Sequence, residues 1–331
     1  MSMSITLAVL LSLFAAPAPL TAPALLDVRI DPLMDMHHWV RRLAERKGEL
    51  SAVAGLPDAV AAARRLDDEL GSPLTWSTID GAVSGAGNAE GFAKIAVELP
   101  ESMPLPGGRT VRLREGAMQL AAAYQALEKP FLAAVWPRHR EAVETAAAVL
   151  RRDLLPKAPA IYADIAEHLR LPVPARPIPV VLVAEGPFPG AVTHRLHGGG
   201  TVSIVAANAA QGTQWLETVV HETLHALDVS AEGSVLDELR DRLGKVEPKG
   251  SPKEIHDFVH TLMFVQAAVS IRRVIDPAHK DYGDVNGYYP KVPRATAVVV
   301  PAWRAYLNGE ISRDAAIARI VDGFAKPPGG G

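Results

Sequence analysis

The sequence has no cysteine in 331 residues, which removes disulfides, thiolate nucleophiles, iron–sulfur clusters and cysteine-type zinc sites together. Any metal must therefore sit on His, Asp or Glu. Charge of one sign is also missing. Lys plus Arg is 34 against Asp plus Glu 37, a formal net charge of -3 with no basic tract, so a nucleic-acid partner is not expected. Long apolar runs are absent too: the best, Ile5 to Leu20, is broken by Pro17 and Pro19 and is too short for a comfortable membrane span. What remains is an ordinary globular composition, 48% hydrophobic and 21% charged, in a chain long enough to bury a core without staples.

The broken apolar run has another reading. It is followed by Ala22-Pro23-Ala24, the small-residue pattern that a signal peptidase accepts, so residues 1–24 are expected to be a signal peptide cleaved near Ala24. No cysteine follows to carry a lipid, and the expected location is the periplasm or the outside of the cell, with no stable membrane span after cleavage.

Residues 25–171 read as a helical N-terminal region, Ala- and Leu-rich with apolar residues at helical spacing. Its Gly/Pro-rich middle, containing GAVSGAGNAEG, reads as a surface loop, with a short strand at Phe92 to Leu99. After Pro172 the pattern changes to β-branched runs: Ile178 to Ala184, Ala191 to Leu196 and Thr201 to Ala207. The last two are joined by His197-Gly198-Gly199-Gly200 and read as an antiparallel hairpin. Helical spacing then returns at Thr213 to Val229, Ser234 to Leu243, Pro252 to Ile275, Val292 to Leu307 and Ser312 to Phe324. Residues 172–326 form the second region, and 327–331 a frayed tail. The fold class expected is α+β and mostly helical, with a small antiparallel sheet ahead of the key helix.

That helix carries His221-Glu222-Thr223-Leu224-His225, the H-E-x-x-H pattern. Residues four apart share a helix face, so His221 and His225 can offer imidazole nitrogens to one divalent ion. Glu222 stands beside the first of them. From there its carboxylate can take a proton from a water polarised by the ion and return it to a leaving group, which is metal-assisted hydrolysis. Random placement of 11 His and 19 Glu gives about 0.02 such matches per chain, and Val219, Val220, Leu224 and Leu227 give the helix a buried body. Zinc suits neutral imidazoles, and a catalytic site needs a third protein ligand plus an open position.

Asp228 and Ala231 stand where a metzincin would have Gly and His, so that pattern is excluded. His260 is the favoured third ligand because Val259, Leu262, Met263 and Phe264 surround it with apolar side chains. Glu238, in a charged run, and His256, one turn before His260, are the alternatives. Asp228 can accept the second ring N–H of a ligand or lie on the surface. The loop KDYGDVNGYYP carries Tyr282, Tyr288 and Tyr289, and a phenol there, Tyr289 first, can donate to a developing oxyanion. His194 and His197 beside the hairpin turn read as exposed turn residues.

A hairpin followed by an HETLH helix and further helices resembles a zincin metallopeptidase. The blocks VVHETLHALD, HDFVHTLMFVQAA and PAWRAYLNGEISRDAAIARIV resemble an uncharacterised group of bacterial secreted HExxH proteins, over roughly the C-terminal third of the chain. The resemblance implies a zincin-like fold, Zn2+ on His221 and His225 with His260 as the matching downstream histidine, Glu222 as base, and a peptide or protein as substrate. A zinc-dependent metallopeptidase is the leading expectation. A metal- or peptide-binding envelope protein that keeps the helix without turnover is the alternative.

Overall fold

The computed structural model describes residues 25–326 apart from 47–49, 51, 72–75, 106–107, 175, 187–189, 198, 210–211, 230 and 247–249. The expected signal peptide and the C-terminal tail lie outside the described residues. The chain is mostly helical α+β. The first element among the described residues is strand β1 (Leu26–Ile30), followed by helices α1 (Pro32–Glu45), α2 (Leu56–Leu70), α3 (Ser77–Ser84) and α4 (Ala89–Ala96). A two-residue pair of strands, β2 (Met103–Pro104) and β3 (Thr110–Val111), leads to α5 (Leu113–Ala134), α6 (Trp136–Val149) and α7 (Ala158–Leu169). Strands β4 (Ile178–Val183), β5 (Ala191–Arg195) and β6 (Thr201–Ala206) follow. The chain ends in α8 (Gly212–Asp228), α9 (Val235–Gly244), α10 (Pro252–Val274), the single turn α11 (Tyr282–Val285), α12 (Pro293–Leu307) and α13 (Arg313–Ala325).

Local chemistry sets these boundaries. Asp31 accepts hydrogen bonds from the amides of Leu33 and Met34 with Pro32 in the first turn, a preorganised start for α1. Ser234 and Ser312 cap α9 and α13 in the same way. Ser251 and Glu254 form a reciprocal capping box at the head of α10.

The main sheet has the order β1-β4-β6-β5. The β5–β6 hairpin is antiparallel as its sequence indicates, but β1 and β6 both run parallel to β4, so the sheet is mixed rather than antiparallel. Its two central strands, β4 and β6, are buried on both faces, as covered parallel pairs usually are. Val180 and Leu182 of β4 face a core shared with α6, α7 and the C-terminal helices, whereas Val181 and Val183 face a second core built by α1–α5. The sheet is thus a wall between two cores.

Two expectations are corrected. The stretch 92–99 is no strand: Asn88 caps a helix whose buried side chains, Ala89, Phe92 and Ala96, recur at helical spacing. Nor is GAVSGAGNAEG all loop, since its first residues complete α3, where Asp80 and Gly81 are buried. Gly81 is needed there: a Cβ would lie 2.2 Å from the carbonyl oxygen of Arg195, so only glycine lets α3 approach the end of β5 so closely. No described helix is long and apolar enough to cross a membrane.

Candidate metal centre

Helix α8 follows the hairpin and lies against β5 and β6 on one side and α10 on the other. Its buried residues include Leu216, Val219, Val220 and Leu224, which fix its rotation and turn His221 and His225 toward α10. There they meet His260. His221 Nε2 lies 2.9 Å from His260 Nε2 and 3.2 Å from His225 Nε2, close to the roughly 3.3 Å edge of a tetrahedron of zinc–nitrogen bonds. These three form one of two groups of metal-ligating side chains that converge among the described residues.

Proton counting shows why the arrangement is unusual. A neutral imidazole has one N–H, and His221 Nε2 faces two other nitrogens while its Nδ1 is buried without a partner. Whichever nitrogen carries the proton, one buried polar atom of His221 is left wanting. A cation taking the three Nε2 lone pairs would resolve the conflict between the nitrogens that face each other. Burial, with some repulsion from neighbouring histidines, holds His221 and His260 well below the usual histidine range, and burial brings His225 down to about 4. All three are thus neutral at neutral pH, the form that ligates metals.

The surroundings fix the rings. Phe264 stacks on His221 at 3.8 Å between centroids, with Tyr282 stacked beyond it at 5.7 Å. The Tyr288 hydroxyl lies 3.2 Å from His260 Nδ1; with that nitrogen protonated and donating to the phenol oxygen, Nε2 is left as the lone-pair face.

Glu222, beside His221 on α8, meets β5. Its carboxylate accepts from Thr193 Oγ1 at 2.9 Å, and burial pushes its pKa up to about 7, with the Thr193 bond opposing. A carboxyl so poised can both take and give a proton at neutral pH.

The structure places the other candidates apart from the cluster, or at its margin. Glu238 pairs with Arg170 and Arg242 on the surface. His256 stacks on His260 at 5.0 Å without joining the converging group. Asp228 is held by Arg240 rather than by a ligand imidazole. Tyr289 is buried with its ring over Gly283 and its hydroxyl without a partner, while its neighbour Tyr288 touches His260. Tyr282 has no hydroxyl partner among the described residues, and its pKa is raised by burial and by the charges of Glu217 and Glu222.

Sequence reasoning gave no role to Glu217, one turn before His221. It is fully buried and accepts from His279 Nε2 at 2.6 Å and from the Tyr282 amide at 2.7 Å, which ties the tyrosine loop to α8. The signal was there: a carboxylate amid Trp215, Leu216, Val219 and Val220 on one helix needs a partner. Nothing in the sequence pointed to Thr193.

The second converging group is His37, His38 and Asp80, in the core beneath the other face of the sheet. Its geometry is that of a hydrogen-bonded ion pair. Arg41 Nη1 reaches both oxygens of Asp80 at 2.7 and 2.8 Å, and His37 Nε2 lies 2.6 Å from Oδ1. His194 Nε2 lies 2.6 Å from Oδ2, in contact although outside hydrogen-bond alignment. Far from being an exposed turn residue, His194 is thus buried against Asp80, because alternation along β5 points it away from Glu222. The guanidinium already neutralises the one carboxylate, so a divalent ion would add uncompensated buried charge.

No known family model matches the sequence, and no curated protein or solved structure matches it significantly. The reading of the site rests on its own chemistry.

Proposed function

We propose that this protein is a zinc-dependent hydrolase of zincin type, acting on peptide bonds. The observation that carries the reading is the convergence of His221, His225 and His260, three neutral imidazoles among which no protonation pattern satisfies both ring nitrogens of His221. Their donor set fits zinc, with Tyr288 as the outer partner of His260. A zinc ion bound there supplies Lewis acidity and makes a water molecule easier to deprotonate. Glu222 then accepts the proton of the attacking water and returns it to the departing amine. Tyr282, stacked on the Phe264 ring that covers His221, donates to the oxyanion that develops on the attacked carbonyl.

The sheet edge supports a peptide as the substrate. Gly190 bonds to Ala206 and Leu196 to Gly200, so by alternation the amide and carbonyl of Ala191 and Thr193 point away from β6, on the strand whose Thr193 hydroxyl meets Glu222. An extended peptide can add there as a further strand. With the expected signal peptide, the working compartment proposed is the periplasm or the cell exterior.

The test is elemental analysis of protein purified without chelator, followed by assay on a peptide library. About one zinc per chain, removed by chelator together with peptide cleavage, is expected. Zinc without cleavage would instead favour a binding protein, and no zinc would end the proposal. Tyr288→Phe is expected to keep the fold and bind zinc about 10-fold more weakly, read by competition with a chelating dye. Unchanged affinity would remove Tyr288 from the site.

A further inference from the structure

Thr193 sits on the edge strand with three oxygens around its hydroxyl. Oγ1 is 3.0 Å from Ser203 Oγ, 2.7 Å from the backbone carbonyl of Glu222 and 2.9 Å from Glu222 Oε2. Thr193 and Ser203 are directly opposed across β5 and β6, in a non-hydrogen-bonded pair, where side chains stand closest. Ser203 is fully buried, and its proton can satisfy the lone pair of Thr193. That leaves the single Thr193 proton for the two oxygens of Glu222, side chain and carbonyl. The carbonyl and Oε2 share it, and Oε1 is the oxygen left for another proton.

We propose that Thr193 is a positioning residue for Glu222, fixing the carboxylate so that one oxygen is anchored to the sheet and the other is presented to the attacking water. This rests on the hydrolase reading above. The strand that carries Thr193 is itself held from behind. The next residue, His194, points through the opposite face of the sheet into the Arg41–Asp80 pair, with Asp80 Oδ2 2.6 Å from its Nε2. A slip of one position would put His194 against Glu222 and Thr193 into the ion pair, so the register of β5 is set from both sides. The anchored rotamer of Glu222 therefore depends on a hydroxyl at this one position of the strand, and a methyl in its place preserves volume but offers no proton.

The test compares Thr193→Val with Thr193→Ser in the full, zinc-loaded chain. Thr193→Val is expected to lower kcat about 10-fold with KM and zinc content unchanged, and Thr193→Ser to restore kcat to within about 2-fold of the wild type. The second readout needs no turnover: the 13Cδ resonance of Glu222, assigned by its loss in Glu222→Gln, should broaden or shift in Thr193→Val and hold its place in Thr193→Ser. Wild-type kcat and an unmoved resonance in Thr193→Val would overturn the proposal. So would equal losses of activity and zinc in both variants, which would mark Thr193 as merely structural. A wild type that cleaves no peptide refutes the hydrolase reading instead, and the carboxyl resonance then still decides whether Thr193 orients Glu222.

Discussion

Glu222→Gln is expected to cut turnover about 10³-fold while the protein keeps its zinc and its thermal stability. Glutamine has the shape of glutamate and still offers an amide oxygen to Thr193, so the bond between β5 and α8 can survive. It cannot accept a proton at neutral pH. The loss therefore falls on kcat, with KM little changed, because the missing interaction belongs to the transition state. Burying a neutral amide where a carboxyl was desolvated costs nothing extra, and Tm is expected to hold or rise. The measurement pairs steady-state kinetics with elemental analysis. Undiminished cleavage at full zinc occupancy would show that the proton goes elsewhere.

The largest effect on stability is expected at Asp80, far from the chemistry. Asp80→Ala leaves the Arg41 guanidinium buried with no carboxylate and is expected to cost about 3–5 kcal/mol in a denaturant titration. The same cluster sets an acid limit. Burial alone would raise the Asp80 pKa, but Arg41, with His194 and His37, holds it well below the ordinary carboxylate value. Its stabilisation is therefore complete above about pH 3.8 and is lost as pH falls below that value.

His38 acts earlier on the way down. Burial depresses its pKa well below 6.5, and its Nε2 has no partner, so the folded protein refuses a proton that the unfolded chain accepts. The sign follows: its contribution is intact above pH 6.5 and is lost as pH drops toward the folded value, at about 1.4 kcal/mol per pH unit. Urea titrations with chelator present, at roughly pH 7.5 and roughly pH 5, should show a shallower loss in His38→Leu than in the wild type. Equal slopes would mean that His38 is protonated in the fold.

How much of this was legible in the sequence depends on range. His221 and His225 stand four residues apart with Glu222 next to the first, and the common face of the two histidines follows from the 3.6-residue period alone. His260 was readable as a polar residue in an apolar stretch, and α10 brings it to the other two. The hairpin and the C-terminal helices carried strong local signals in β-branched runs and serine caps. The parallel strand β1 did not, because a five-residue strand with one buried residue has no periodicity to read. Thr193 and His194 depend on which face of β5 meets which helix, and that is decided by partners far away in the chain. Which tyrosine of the loop reaches His260 depends on a loop conformation tied to α8 through Glu217, which no local pattern encodes.

The dividing wall also governs how the chain reaches its native state. Leu26 and Ile178, neighbours in the sheet, are 152 positions apart, so β1 must wait for β4 before it can pair. That edge of the wall is therefore made late, after a costly loop closure, and the molecule should fold slowly for its helical content. Until then the inner surfaces of both compartments are exposed, Val181 and Val183 among them. A newly made chain is for that time vulnerable to aggregation and a natural client for a holding chaperone.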